Sequence, residues 1–349
     1  MKRLLNTLYV TSPNRYISLD GENVVVSEKE KEVGRIPLHN LEMIVTFGYT
    51  GASPALMGAC ASRHIGLVFL SGNGRFLARI VGESYGNVNL RKEQYRRSDD
   101  VQASLEIAKN CISGKIYNSR WILERAIRDY PLRLDIEKIR NKSRYLAEAL
   151  SKIQDCDSPA ALLGLEGEAA TVYFSVLDDL ILQQKDVFHF TGRSRRPPLD
   201  EVNAMLSFAY TLLASMCANA LETVGLDPYV GFFHTDRPGR KSLALDMVEE
   251  LRGIMADRFV LTLINKKMIG KDAFDRKENG AVFLSETGRR EFLSAWQKKK
   301  QESITHPFLG EKLEWGMVPF AQAMLLSRYL RGDLDGYPPF FGNKLGNVV

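Results

Sequence analysis

The chain has 349 residues, 45% of them hydrophobic and 26% charged, and its formal net charge is +5. This length suits two domains, and the mild positive charge permits an anionic partner without requiring one. The four cysteines are scattered with no C-x-x-C pair, which argues against a disulfide framework or a zinc knuckle. We see no apolar core of a signal peptide and no apolar run near the roughly 18 residues of a membrane span, so we expect a cytoplasmic protein without a membrane partner.

The first part of the chain, residues 1–82, alternates between short β-rich segments and turns. Ser53 and Pro54 are suited to begin a helix over residues 54–63, and Asn73-Gly74 is typical of a tight hairpin turn. We therefore predict a β-sandwich-like domain with one short helix. Its predicted strands span residues 7–11, 16–19, 24–27, 43–47, 65–70 and 76–81.

The rest of the chain has a different pattern. Residues 83–98 are polar and lack a clear period, so we interpret them as a linker. From residue 99 the helical period dominates and predicts an all-α domain over 99–349, which makes the fold class α+β. Asp200 and Ser242 suit N-cap positions, Gly225 suits a helix stop, and residues 337–349 suit a loose tail. The predicted helices span residues 101–113, 116–129, 134–153, 160–183, 201–224, 243–258, 286–300 and 318–331.

One predicted helix carries three carboxylates on one face. Asp246, Glu249 and Glu250 stand at i, i+3 and i+4. Because close carboxylates repel one another, they need a cation, and a divalent metal would supply it. The pattern is also typical of a solvated acidic face in which Glu249 pairs with Arg252. Considered alone, the helix favours that second interpretation.

A histidine precedes this helix at the end of an apolar segment punctuated by glycines. A lone histidine beside aromatic residues is more often a hydrogen-bonded core residue than a metal ligand. Only a short basic loop, however, separates His234 from the acidic helix, so the two could meet in space. Imidazole with carboxylates suits Mn²⁺ and Zn²⁺ and tolerates Mg²⁺. The loop itself carries Arg237, Arg240 and Lys241, which are candidates for contacts with DNA phosphates.

Glu166 lies in an otherwise small and apolar helical segment. At helical spacing it shares a face with Ala169, Ala170 and Tyr173, and such a face is expected to be buried. A buried carboxylate needs a partner, and a metal would serve. The alternative is an exposed glutamate near a helix N-terminus, where the helix dipole favours it.

Three arginines precede a Pro-Pro pair and the start of a helix. Arginine side chains and helix N-termini both suit phosphate oxygens, so Arg193, Arg195 and Arg196 are candidates for DNA contacts. A solvated basic loop is equally consistent with this feature alone. The sequence contains no Walker A motif, no H-E-x-x-H and no G-x-S-x-G.

Four segments, taken together and in order, resemble one known family. They are L-x-x-E-G-x-A-A-x-x-Y-F (Leu163 to Phe174), R-x-R-R-P-P-x-D-x-V-N-A-M-L-S-F-x-Y (Arg193 to Tyr210), G-L-D-P-Y-x-G-F-x-H (Gly225 to His234) and S-L-A-L-D-x-x-E-E-L-R (Ser242 to Arg252). The family is that of the CRISPR-associated adaptation integrases, the Cas-one proteins. The resemblance spans essentially the whole chain, and its opening is most similar to the versions found in type I-C systems.

This resemblance implies a fold, a reaction and a site. Family members have a β-strand domain that forms the homodimer and a helical catalytic domain, and two dimers join a dimer of the small Cas-two protein in a heterohexamer. They insert short DNA into the CRISPR array through attack of a 3′-hydroxyl on a phosphodiester, with Mg²⁺ or Mn²⁺. The family's ligands fall on Glu166, His234 and Glu249, the last often being Asp in other members. Asp246 and Glu250 fall beside the site.

Two other functions remain open. One is a metal-dependent nuclease or phosphohydrolase unrelated to integration. The other is a DNA-binding scaffold in which Glu166, His234 and Glu249 are structural. Joining of DNA, hydrolysis without joining, and binding alone distinguish the three.

Overall fold

The computed structural model describes residues 6–49, 51–72, 76–83 and 88–342. Its first part contains two sheets and one helix. The elements are β1 (Asn6–Val10), β2 (Arg15–Asp20), β3 (Asn23–Glu28), β4 (Lys31–Pro37), β5 (Leu41–Phe47), α1 (Pro54–Ser62), β6 (Gly66–Leu70) and β7 (Phe76–Ile80). Of these, β4 was not predicted, because it is largely exposed and carries charges where a half-buried strand would alternate.

The two sheets differ in strand direction. One has the order β1-β5-β6-β7, with β1, β5 and β6 parallel and β7 antiparallel to β6. The other is an antiparallel meander, β2-β3-β4. The predicted Asn73-Gly74 turn lies outside the described residues, although the two strands it would join are antiparallel neighbours, as expected.

Strand β5 is buried on both of its faces. Ile44 packs with α1 and the three-stranded sheet, whereas Met43, Val45 and Phe47 pack with the helices that follow in the chain. The ring of Phe47 lies 6.0 Å from that of Phe208, centroid to centroid. The four-stranded sheet therefore belongs to two cores and is shared by both parts of the chain.

The second part of the chain is mostly helical, so the α+β fold class is confirmed. The expectation of an all-α region needs correction, because two short antiparallel strand pairs occur within it. Its elements are α2 (Val88–Asp99), α3 (Val101–Asp129), α4 (Ile136–Lys152), α5 (Pro159–Phe174), α6 (Glu201–Thr223), α7 (Ser242–Arg252), α8 (Arg258–Asn265), β8 (Phe274–Arg276), β9 (Val282–Leu284), α9 (Glu286–Gln301), β10 (Ser303–Thr305), β11 (Lys312–Glu314) and α10 (Val318–Leu330).

The interpretation of residues 83–98 as an irregular linker was wrong where the structure describes them. Helix α2 fills most of this segment, and it buries Leu90 and Gln94. The Gln94 amide donates to the carbonyls of Asp227 and Val230, at 2.8 Å each. The helix was missed because only one apolar residue is buried on it; a buried amide holds it instead.

Helix α3 runs without a break where two helices were predicted. Gly114 and Lys115, taken as a break, lie in its interior. A Cβ placed on Gly114 would lie only 2.8 Å from the Cβ of Glu250 on α7. Glycine is therefore present because it lets the two helices approach closely, not because it ends one.

Two predicted helix ends also differ. Helix α5 stops at Phe174 instead of residue 183, because the Asn265 side chain fixes the backbone that follows: it accepts from Leu182 N at 2.7 Å and donates to Leu180 O at 2.8 Å. Helix α7 continues into α8 through a π-helical turn over Gly253–Asp257. Ser242 is not an N-cap, since its hydroxyl donates to the carbonyl of Thr235 at 3.1 Å.

Helix α6 is the central helix of the larger core. Its predicted N-cap is confirmed, because Asp200 Oδ1 accepts from Asn203 N at 2.7 Å, and Gly225 follows its end with a φ of +87°. By length and mean hydropathy (1.5) α6 alone among the described helices could cross a membrane, but 72% of that stretch is buried inside the protein. Its apolar character is that of a core helix.

Candidate active site

Glu166 on α5 and Glu249 on α7 converge on one ammonium group. Lys115 on α3 donates to Glu166 Oε1, and its Nζ lies 2.6 Å from Glu249 Oε2. The side chains of Lys115 and Glu166 are 8% and 16% exposed, so the alternative of a solvent-exposed Glu166 was wrong. The structure therefore brings two of the three predicted ligands together, around a cation that the protein itself supplies.

Glu249 is held as a carboxylate. Burial alone would raise its pKa, but the charges of Lys115 and Arg252 outweigh burial and hold the pKa well below its usual range. Arg252 Nη1 lies 3.1 and 3.2 Å from the two Glu249 oxygens. His234 lies close enough that a positive charge on its ring would lower the Glu249 pKa further. The interpretation of Glu249 as part of a solvated acidic face was therefore wrong, although its pair with Arg252 exists.

The position of His234 is set by Asp246. This carboxylate is 1% exposed on its side chain and accepts the backbone N–H groups of Phe232, Phe233 and His234. The Nδ1 atom of His234 lies 2.6 Å from Asp246 Oδ1. A Cβ on Gly231 would lie 2.8 Å from Asp246 Oδ2, so only glycine lets the loop wrap this closely around the carboxylate.

These contacts decide which imidazole nitrogen is free. Because Asp246 already accepts three backbone N–H groups, it acts as an acceptor, and Nδ1 of His234 must be the donor. The neutral ring then presents a lone pair on Nε2. A carboxylate that fixes the tautomer of a histidine in this way is a common arrangement behind metal-binding histidines.

Glu250 faces away from this site. It accepts from the Tyr337 hydroxyl at 2.5 Å, the Phe340 backbone N–H at 3.1 Å and the Gln322 amide at 3.2 Å. Burial raises its pKa to about 7. The prediction that the three carboxylates of α7 share one cation was therefore wrong. Asp246 binds the loop before α7, Glu249 pairs with Lys115 and Arg252, and Glu250 binds the segment 337–342.

The segment 337–342 was expected to be loose, and it is anchored instead. Tyr337 and Phe340 are buried. Asn118 on α3 donates to the carbonyls of Glu250 and Phe340, at 2.7 and 2.8 Å, and accepts from Gly342 N. Residues 343–349 lie outside the described residues. The segment thus links α3 to α7 through Asn118, one helical turn from Lys115, and Glu250, the neighbour of Glu249.

The fit of a metal ion can be judged from the donors. Among the residues that the structure describes, no three His, Cys, Asp or Glu side chains stand close enough together to hold an ion as they are arranged. Two carboxylates and one imidazole nitrogen are nevertheless donors that Mn²⁺ and Mg²⁺ accept. Both carboxylates already converge on one positive charge. The set therefore fits a divalent ion that takes the place of the Lys115 ammonium.

The three arginines that precede α6 differ in orientation. Arg193 points inward: it donates to Ser194 O at 2.7 Å and Asn203 Oδ1 at 2.5 Å, and its guanidinium lies 5.1 Å from the Tyr210 ring centroid. Burial lowers its pKa. Arg195 and Arg196 are exposed. Only these two present their charges to solvent.

The basic loop after His234 is also divided. Arg237 is exposed and Arg240 partly so. The Lys241 ammonium lies 4.0 Å from the ring centroid of Phe76 on β7, and burial lowers its pKa to about 8. Lys241 thus packs between the sheet and the helices, where it contributes to their contact.

Sequence reasoning missed Lys115, which is central to the site. Its signal was present: a lysine stands on a helical face otherwise formed by residues such as Ile112, Ile116 and Ser119, all buried in the structure. A buried lysine needs a carboxylate partner. The glycine at position 114 hides this signal, because glycine is typical of a helix end and the pattern then divides into two shorter helices.

Replacing Lys115 with methionine should destabilise the metal-free protein by about 3 kcal/mol, because Glu166 and Glu249 would then face each other without a cation. Added Mn²⁺ should raise the melting temperature of this variant more than that of the parent, since no ammonium has to be displaced. Thermal melts in EDTA and in Mn²⁺ measure both effects.

Lys109→Met is the matched control, because Lys109 lies on the same helix and its ammonium donates to the backbone carbonyl of Gln154, not to a carboxylate. It should leave the response to Mn²⁺ unchanged. An equal or smaller response in Lys115→Met would show that the ammonium does not occupy the place of the ion.

Comparison with known proteins agrees with this architecture. The family model of CRISPR associated protein Cas1 matches residues 8–298. CRISPR-associated endonuclease Cas1 1 of Chlorobaculum tepidum is 48% identical over 340 residues, which cover 97% of this chain and 99% of that protein.

Two solved structures extend the likeness to the fold. A casposase bound to its integration product superposes with a TM-score of 0.80 at 25% identity, covering 94% of this chain and 91% of that chain. A Cas6-RT-Cas1–Cas2 complex gives a TM-score of 0.82 at 21% identity, covering 99% of this chain and 37% of that chain. The chain therefore belongs to the Cas1 family of CRISPR-associated endonucleases and integrases.

Proposed function

We propose that this protein is the integrase of CRISPR spacer acquisition, and that it depends on Mg²⁺ or Mn²⁺. It would join the 3′-hydroxyl ends of short DNA to a phosphodiester at the leader–repeat edge of the array. The observation that carries this proposal is the convergence of Glu166 and Glu249 on one cation, beside a His234 whose Nε2 is left free. The likeness to a casposase bound to its integration product supports it.

The reaction conserves the number of phosphodiester bonds. The 3′-oxygen of the incoming strand forms a bond to phosphorus while the bond to the target strand's 3′-oxygen breaks, and that leaving oxygen takes up a proton. A divalent ion on Glu166, Glu249 and His234 would polarise the scissile phosphate and favour loss of the attacking hydroxyl's proton. Water in place of the 3′-hydroxyl would give the endonuclease activity.

The residues of the chain have separate tasks in this scheme. Asp246 fixes the orientation and tautomer of His234, and Arg252 holds the carboxylate of Glu249 in place. Lys115 would place one positive charge between the two carboxylates before the ion binds, and Arg252 supplies a second charge beside Glu249. Such fixed groups orient the reacting atoms without reorganisation during the reaction.

The test is a joining assay with the full-length protein. A short duplex with free 3′-hydroxyl ends and a plasmid that carries a leader and repeat are incubated with Mn²⁺. Joined product is expected, and duplexes with 3′-deoxy ends should give none. Hydrolysis without joining would favour an unrelated nuclease, and binding without either reaction would favour a scaffold.

We propose that the exposed arginines hold DNA phosphates. Replacing Arg195 and Arg196 together with glutamine should weaken DNA binding and flatten its salt dependence, by a slope of about 0.9 for each duplex phosphate that the variant no longer neutralises. Arg193 is left unchanged, because its bonds to Asn203 and Ser194 support the loop. Fluorescence anisotropy over a series of salt concentrations measures the slope.

The matched control is Arg140→Gln with Arg144→Gln, because both residues are exposed on α4, with side chains 46% and 63% accessible. That pair should change neither affinity nor slope. If the Arg195 and Arg196 double variant keeps the parent slope, the phosphate contacts lie elsewhere, and Arg237 and Arg240 are the next candidates.

We also propose a homodimer built through residues 1–82, and a heterohexamer with Cas2. The outer edge of β4 supports the dimer, because no strand pairs with it in the part of the chain that the structure describes and exposed edge strands need cover. Val33 on this strand is 49% exposed. A solved neighbour in complex with Cas2 supports the second partner.

Light scattering of the full-length protein should give the mass of a dimer, and the mass of Val33→Asp should shift towards that of a monomer. A monomer at micromolar concentration contradicts the dimer.

The cellular setting is part of the same proposal. We place the protein in the cytoplasm, where a CRISPR array is found, and assign it to a type I-C system. A neighbouring gene for a small ferredoxin-like protein and a nearby repeat array would support this setting. Subtype-defining genes of another type beside it would overturn the type I-C assignment.

A further inference from the structure

A second concave site lies beside the C-terminal part of α3, the helix that carries Lys115. The C-terminal part of α3, helix α8 and the end of α9 enclose a cavity of about 380 Å³. Small-molecule sites generally fall between about 300 and 1,000 Å³. Part of its lining is apolar, and the side chains of this part, here called the apolar wall, include Leu134, Leu180, Leu182 and Met268.

The same cavity is also lined by an arginine with unused donors. The guanidinium of Arg258 lies 5.2 Å from the ring centroid of Trp121, and that of Arg125 lies 5.4 Å from the same ring. Arg125 is paired with Asp129 at 2.9 Å. Arg258 makes no side-chain hydrogen bond or ion pair with any residue that the structure describes. A partly buried guanidinium held by an indole and left without a carboxylate is a ready anion site.

The charges around Arg258 are unbalanced. The cavity's two carboxylates already form ion pairs with other residues. Glu302 pairs with Lys299, and Asp129 pairs with Arg125 and Arg128. Lys266 and Lys298 line the cavity, are exposed, and make no ion pair with the described part of the chain. Burial, with Arg125 beside it, lowers the pKa of Arg258 to about 10. Glu302 and Asp129 offset part of this effect on Arg258. The lining nevertheless holds more basic than acidic side chains, so the cavity carries an excess of positive charge.

We propose that this cavity binds a phosphate group carried by a nucleoside, with Arg258 as the main phosphate contact and the apolar wall against the base. The phosphate can belong to a free nucleotide or to the end of a DNA strand. Arg258 is nine residues from Glu249, so roughly 14 Å of helix separate the two. The cavity is therefore distinct from the active site, and the inference goes beyond the proposed integration reaction.

The test is isothermal titration calorimetry on the full-length protein in EDTA. The probes are dAMP, deoxyadenosine, a short single-stranded oligonucleotide and a peptide rich in aspartate and leucine. The variant is Arg258→Gln, and the matched control is Arg140→Gln, which removes the same charge from an exposed position. Arg258→Gln loses the contact with the Trp121 ring but no hydrogen bond or ion pair within the described residues, so the variant should melt near the parent temperature. Should it not fold, Arg258→Lys keeps the charge and removes the planar fork.

We expect dAMP to bind at least about tenfold more tightly than deoxyadenosine, and Arg258→Gln to abolish that difference. Arg140→Gln should preserve it. If the oligonucleotide binds more tightly than dAMP and depends on Arg258, the phosphate belongs to a strand; otherwise it belongs to a free nucleotide. Equal binding of dAMP and deoxyadenosine, or affinity unchanged in Arg258→Gln, overturns the proposal. So does an acidic peptide that competes more strongly than any nucleotide.

Discussion

Replacing His234 with alanine should reduce joining and cleavage of DNA by about 10³-fold or more while leaving DNA affinity within about twofold. The proposed ion stabilises the transition state, and His234 would be one of its ligands. Losing His234 therefore removes stabilisation that the transition state receives and the bound DNA in its ground state does not. Affinity comes mainly from phosphate contacts made by exposed arginines, which this change leaves in place. Single-turnover joining and anisotropy, run on the same samples, measure the two quantities.

Stability must be controlled in this experiment, because Asp246 would lose one hydrogen bond. It keeps the backbone N–H groups of Phe232, Phe233 and His234, so the loop should stay folded. His39→Ala, at an exposed position in the β-rich part, is the matched control and should keep full activity. Substantial joining by His234→Ala would remove this histidine from the proposed ligand set.

Replacing Gly114 with alanine should lower the free energy of unfolding by about 2–3 kcal/mol and reduce joining by roughly 10²-fold. The added methyl would lie 2.8 Å from the Cβ of Glu250, so α3 and α7 would have to separate. The two helices carry Lys115 and Glu249, and the separation would therefore displace the active site as well. Denaturant unfolding and the joining assay check the two effects.

In the matched control, a glycine-to-alanine substitution should change the free energy of unfolding in the opposite direction. Gly58 lies inside α1, is exposed, and a Cβ placed on it would meet nothing within 4 Å. Gly58→Ala should therefore raise stability, by up to about 1 kcal/mol, because alanine loses less conformational entropy in a helix. If both substitutions stabilise the protein, the close approach of α3 and α7 is not what requires glycine at position 114.

The sequence was enough to propose Glu166, His234 and Glu249 as site residues, but not to predict the partners that hold them. Glu166 and His234 are polar groups in apolar segments, and Glu249 is one of three carboxylates on one helix face. Helical spacing also suggested that Asp246 and Glu250 would share a cation with Glu249. It could not show that one carboxylate binds a loop and another a distant segment, because those partners are set by tertiary packing.

The fold was predicted where local signals agree with tertiary contacts. The N-caps at Ser53 and Asp200 and the long apolar helix α6 are examples, since capping and periodicity point to the same structure. Prediction failed for α2, which is held by the buried Gln94, and for the end of α5, which Asn265 fixes from another element. Contacts between residues far apart in the chain leave no periodic trace in the sequence.

Strand β5 bears on how this protein can change over evolution. Its Ile44 belongs to one core, and its Met43, Val45 and Phe47 belong to the other. Cutting the chain after the sheet would therefore expose Met43, Val45 and Phe47 to solvent on the β-rich part. The helical part would lose the side chains that cover one side of its core. The β-rich part is thus not a module that recombination could exchange alone. New partners are more easily gained at its outer edges than by replacing it.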